Sequence, residues 1–127
     1  MLSPILACED VAKSIRYYTE KLNFELAWEM PPNEDGKVEF ACVKLAEAEI
    51  LLGITEGFVE KVDIDKRGIG IQIYINLPES ISIDALYEQA TKSGAEIIHP
   101  LETRDWGETV FTVNDIDGYN LMFAQTA

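Results

Sequence analysis

The chemistry open to this chain is limited first by its histidines. There is one, His99, immediately before Pro100. A divalent-metal site built from imidazole and carboxylate needs several convergent ligands, and one imidazole at a strand end does not supply them. No Ser-His-acid set can be argued from it either. Gly68-Ile69-Gly70 lacks the third glycine of a phosphate-binding loop and leads into a strand rather than a helix. Carboxylates are abundant, so an acid–base pair stays open, but the sequence points to none. Cys8 and Cys42 both lie in apolar runs without metal or redox partners at suitable spacing, which reads as two buried thiols in a reducing compartment.

Binding fits the remaining residues better than bond-making does. Trp28, Phe40 and Trp106 are the aromatic residues available for stacking. Trp28 alternates with Phe24, Leu26 and Met30, and that pattern reads as a core position. Trp106 stands in a polar loop between Asp105 and Gly107, with Glu102 and Glu108 nearby. A ring in such company can stack on a cationic or aromatic molecule.

Composition sets the outer limits. A chain of 127 residues fits one domain with one sizeable core. With 23 acidic and 10 basic residues the net charge is −13, which disfavours nucleic acid and anionic membrane surfaces as partners and attracts cations. No apolar run is long enough to span a bilayer, and no basic-then-apolar leader is visible. The expected location is the cytoplasm.

The elements that position these residues follow from periodicity. Residues 3–8 read as a first strand. Asp10 then caps a helix over 11–22, whose apolar residues Val11, Ile15, Tyr18 and Leu22 have helical spacing, and Asn23 ends it. Strands follow over 24–30, 37–45 and 49–54. The charged stretch 55–68 reads as a surface linker. The order then begins again. A strand over 69–75 leads to a helix capped by Ser82 or Asp84, which runs to Lys92 and is ended by Gly94. A strand over 95–99, a loop over 100–106 and a hairpin over 106–123 complete the chain. The hairpin turns at Asp117-Gly118. Lys21-Leu22-Asn23-Phe24-Glu25-Leu26 aligns with Lys92-Ser93-Gly94-Ala95-Glu96-Ile97, so the chain reads as two βαβββ repeats, about 1–54 and 69–127. Neither repeat buries a good core alone. The expected class is α+β, a curved mixed sheet with a concave groove and the helices outside it.

Four motifs carry a resemblance to the vicinal-oxygen-chelate superfamily of glyoxalases, bleomycin-resistance proteins and extradiol dioxygenases. They are Asp10-Val11-Ala12-Lys13-Ser14-Ile15-Arg16-Tyr17-Tyr18, Lys21-Leu22-Asn23-Phe24, Arg104-Asp105-Trp106-Gly107 and Asn114-Asp115-Ile116-Asp117-Gly118-Tyr119. The resemblance is to the fold over nearly the whole chain, and a fold does not name a reaction. It implies that catalytic branches would place His and Glu ligands on strands one, four, five and eight. Those positions hold Ser3, Leu51 (or Glu49), Gly70 (or Gln72) and Met122. The resemblance therefore implies a bleomycin-resistance-like branch without metal or other cofactor, paired as a homodimer.

Strand parity gives the expected lining of the concave face. It comprises Ser3, Ile5 and Ala7; Glu49, Leu51 and Gly53; Gly70, Gln72 and Tyr74; and Asn120, Met122 and Ala124. Such a mixed lining, with Trp28, Phe40 and Trp106, suits a flat organic ligand. The expected function is sequestration of a cationic or aromatic, antibiotic-like molecule. A metal-independent lyase or isomerase, and a metal-dependent enzyme with atypical ligands, stand as alternatives.

Overall fold

Alternating apolar residues set most of the strands, and a left-handed residue follows each helix. The computed structural model describes residues 2–55 and 63–126. In chain order the elements are β1 (Ile5–Cys8), α1 (Val11–Arg16), β2 (Glu25–Glu29), β3 (Phe40–Leu45), β4 (Ala48–Ile54), β5 (Gln72–Asn76), α2 (Ile83–Lys92), β6 (Glu96–Thr103), β7 (Glu108–Asn114) and β8 (Asn120–Thr126). The order βαβββ thus occurs twice. The Asp10 carboxylate caps α1 by accepting from Lys13 N–H at 3.2 Å. From Tyr17 to Lys21 the helix widens into a π-type turn, so only the first half of the expected helix over 11–22 is α-helical. Asn23, at φ 60°, then redirects the chain. Ser82 caps α2 through Ala85 N–H at 3.2 Å, and Gly94, at φ 84°, follows its end.

The strands form two four-stranded sheets, ordered β1-β4-β3-β2 and β5-β8-β7-β6. Pairs β1–β4 and β5–β8 are parallel and the others antiparallel, giving an α+β fold of two mixed sheets. One face of each sheet joins both helices in a common core. Leu6, Val43 and Leu52 come from the first sheet, Ile75, Phe111 and Phe123 from the second, and Val11, Tyr18 and Leu86 from the helical segments. Phe24, beside the outermost strand of the first sheet, meets Phe123 of β8 at 6.4 Å. That contact requires the sheets to meet core face to core face. Their other faces, termed outer faces below, point apart, on the side of each sheet away from its helix.

Two irregular edge strands decide what reaches those outer faces. In β2 the pairing shifts between Leu26, opposite Val43, and Trp28, opposite Cys42. The extra residue, Ala27, is a β-bulge that breaks the alternation. Trp28 is thereby turned from the expected core position to the outer face, where it is 45% exposed. In β6 the register slips twice, on either side of His99. The strand consequently continues through Pro100 to Thr103, where a loop over 100–106 was expected. Proline is tolerated there because β6 is an edge strand with irregular pairing.

A buried polar cluster fastens the second half to the first. In the β7–β8 turn, Asp115 Oδ1 accepts the Asp117 and Tyr119 amides, both at 2.9 Å, and Oδ2 accepts the Tyr18 hydroxyl at 2.7 Å. Asp117 Oδ1 accepts Glu9 N–H at 3.1 Å and Arg67 Nη1 at 3.2 Å, and Oδ2 accepts Ser14 Oγ–H at 2.8 Å. Arg67 also pairs with Glu9. The linker expected over 55–68 lies partly outside the described residues. Of the remainder, Ile64–Lys66 form one 3-10 turn, and Arg67 is buried rather than on the surface.

Burial holds the Asp115 carboxyl up, to about 6 from 3.8, against the hydrogen bonds it accepts. Because the folded value lies above the unfolded one, the folded chain keeps this proton longer. Its contribution to stability is complete below about pH 4 and is lost as pH rises through 6. Replacing Asp115 with Asn removes the titration. Relative to Asp115→Asn, wild type should lose about 1–3 kcal/mol of unfolding free energy between pH 4 and 6. Urea melts of both proteins at each pH measure this, and parallel pH curves would remove Asp115 as the cause.

Candidate functional site

The outer face of the first sheet is apolar and aromatic. Register places Ile5 beside Leu51, Cys42 between Leu51 and Trp28, and Phe40 beside Gly53. The rings of Trp28 and Phe40 lie 5.7 Å apart at 38°. Ile5 is 51% exposed and Met30 40%. Glu49 lies at the end of this face, opposite Lys44. The bulge at Ala27 creates this patch by adding Trp28 to residues that alternation already turned outward.

The outer face of the second sheet is polar and hydrogen-bonded. Gln72, Tyr74 and Asn76 of β5 stand beside Asn120, Met122 and Ala124 of β8, and these stand beside Asn114, Thr112 and Val110 of β7. Gln72 Nε2–H donates to Asn120 Oδ1 at 2.6 Å, and Asn120 Nδ2–H donates to Asn114 Oδ1 at 3.2 Å. The Tyr74 hydroxyl donates to Glu108, which also accepts Trp106 Nε1–H at 3.3 Å. Arg104 lies over the Trp106 ring, 5.4 Å from its centroid. Trp106 is 68% exposed. The chain's own guanidinium therefore supplies the cation expected from a ligand at that ring. Burial pushes both the Cys8 and Cys42 thiols up, so neither is a ready nucleophile.

Gln72, Tyr74, Asn120 and Met122 do share one face, and Trp106 joins their edge through Glu108. Trp28, Phe40, Glu49 and Leu51 share another face. One chain does not bring these two groups together, because the two outer faces point apart. A cavity of about 390 Å³ lined by Leu2, Pro4, Ile73 and Tyr74 opens where β1 approaches β5. Another, of about 400 Å³, lies between the β3–β4 turn and α2, among Lys44, Leu45, Ala46, Ala85 and Leu86. Asn114 and Arg104 were missed from sequence. Parity with Asn120 across the hairpin was the available signal for Asn114. His99 stands opposite Thr112 on an exposed edge strand.

The residues present do not fit the metal of the catalytic branches. Leu51 and Met122, at two of the expected ligand positions, are poor donors for a hard cation. Among the described residues no three His, Cys, Asp or Glu side chains converge.

Comparison with known proteins gives a consistent likeness. A family model described as the Glyoxalase/Bleomycin resistance protein/Dioxygenase superfamily matches residues 2–123. An uncharacterised protein of Mycobacterium bovis is 25% identical over 129 residues, covering 98% of this chain and 82% of that one. Among solved structures, TioX from Micromonospora sp. ML1 superposes with a TM-score of 0.78 at 19% identity, covering 99% of this chain and 98% of that one. The bleomycin resistance determinant encoded on the transposon Tn5 gives 0.71 at 18% identity, covering 99% and 97%. At these identities the structural likeness is one of fold. No helix among the described residues is long and apolar enough to cross a membrane.

Proposed function

The chain belongs to the glyoxalase/bleomycin resistance protein/dioxygenase superfamily, and from that premise we propose that it is a small-molecule binding protein of the bleomycin-resistance-like kind. It works without a bound metal, in the cytoplasm, and sequesters a flat aromatic, antibiotic-like molecule. The observation that carries this reading is the pairing of two unlike outer faces. One is an aromatic and apolar wall around Trp28, Phe40, Met30 and Leu51, and the other a hydrogen-bonding wall around Tyr74, Gln72 and Asn120. A groove needs both walls, and they point apart in one chain. The protein is therefore a homodimer in which the first sheet of one copy faces the second sheet of the other. Exposed Ile5, Trp28 and Met30 give the apolar surface that such pairing covers.

Both tryptophans lie on or beside these walls, so emission reports directly on the groove. Titration with bleomycin and with simple aromatic amides should give a saturable change in tryptophan emission and a rise in Tm. The change should persist in Trp106→Phe and be largely lost in Trp28→Phe. No saturable change and no thermal shift with any of these probes would sink the reading.

A further inference from the structure

We propose that the row Gln72–Asn120–Asn114 makes the second wall selective for a neutral ligand with an amide-type edge, one donor and one acceptor, over a cation. The proposal rests on the binding function above and narrows its ligand class.

The row crosses three neighbouring strands, β5, β8 and β7. Its two hydrogen bonds run in one sense, each amide N–H donating to the next carbonyl oxygen. Bonds aligned in this way polarise one another. They also leave complementary ends. A primary amide has two N–H donors and two acceptor lone pairs. Gln72 Oε1 and the Asn114 Nδ2 hydrogens have no partner among the described residues. The wall therefore offers an acceptor at β5 and a donor at β7, with no formal charge between them.

The charged groups on this sheet, at the far end of β7 six residues from Asn114, do not invite a cation either. Glu108 already accepts from Tyr74 and Trp106. Arg104 covers Trp106 and places a positive charge next to it. A planar ring against the aromatic wall, carrying a carboxamide toward the amide row, satisfies the acceptor and donor ends of that row. An ammonium on the same ring would meet the donor end of the row with no carboxylate in the row to compensate it. A ligand-recognising hydrogen bond of this kind shifts affinity by about tenfold.

Three probes sharing one ring test this by calorimetric titration of the full chain: 2-naphthamide, 2-methylnaphthalene and 2-naphthylmethylammonium. In wild type the amide should bind about tenfold tighter than either of the others. Gln72→Leu and Asn120→Leu should each bring the amide down to the level of the methyl compound in the same variant. Asn120→Asp should reverse the order, lowering the amide and raising the ammonium. Equal binding of amide and methyl compound in wild type, or an amide preference that survives both leucine variants, overturns the role of the row alone. Failure of all three probes to bind overturns the binding function, and this proposal with it.

Discussion

Asp117→Ala is expected to lower the unfolding free energy by about 3–5 kcal/mol, a large share of the 5–15 kcal/mol that holds a typical domain folded. The size follows from what the carboxylate holds. Its side chain is 4% exposed, and that of its partner Arg67 is 1% exposed. Removing it leaves a buried guanidinium facing Glu9, whose side chain is 60% exposed. It also removes the acceptor of Glu9 N–H and of the Ser14 hydroxyl. Breaking one partner of a buried pair costs more than the pair contributes, because the survivor stays buried and charged. The double change Arg67→Met with Asp117→Leu should therefore recover most of the loss. Urea unfolding of the three proteins decides this, with Asp35→Ala as an exposed control expected to move by under about 0.5 kcal/mol. A loss below about 1 kcal/mol for Asp117→Ala would mean that the cluster does not hold the halves together.

The same cluster shows where sequence reasoning reaches and where it stops. Asp117 and Gly118 are legible as a turn because their residue types tolerate its backbone, and Gly118 does adopt φ 93°. Asn23 and Gly94 are legible as helix ends for the same local reason. Arg67 is not. Its partners lie 50 and 58 residues away, and a charged stretch without periodicity looks like any solvated linker. Strand pairing has a similar limit. Alternation placed Gln72, Tyr74, Asn120 and Met122 together because β5 and β8 run in continuous register. It misplaced Trp28 because one extra residue, Ala27, reverses every side chain beyond it, and nothing in the residue types marks where a bulge falls. The proposed groove lies on the last link, from fold to assembly. Alternation accounts for most residues of the two outer faces, but which faces could close on one another depends on how the halves pack. That packing is fixed by contacts such as Phe24 on Phe123 and Tyr18 on Asp115.

Trp28→Glu is expected to turn the proposed dimer into a monomer of 14.2 kDa. In a single chain the position is nearly half exposed, so folding should change by only about 0.5 kcal/mol. In the assembly the same position is covered twice, once per copy. Losing a buried aromatic anchor costs about 2 kcal/mol or more each time, before the added carboxylate is counted. That is at least about 4 kcal/mol, roughly a thousandfold in dimer Kd. Light scattering at micromolar concentration reads the mass, and titration with an aromatic amide reads the groove. Both should be lost together. Met122→Glu, which spoils the second wall, should lose binding in the same way. The decisive step is to mix the two variants. A mixed dimer places both lesions in one groove and leaves the other groove intact, so up to half of the sites should return. If each groove instead lay within one chain, every chain in the mixture would still carry a lesion, and no binding would reappear.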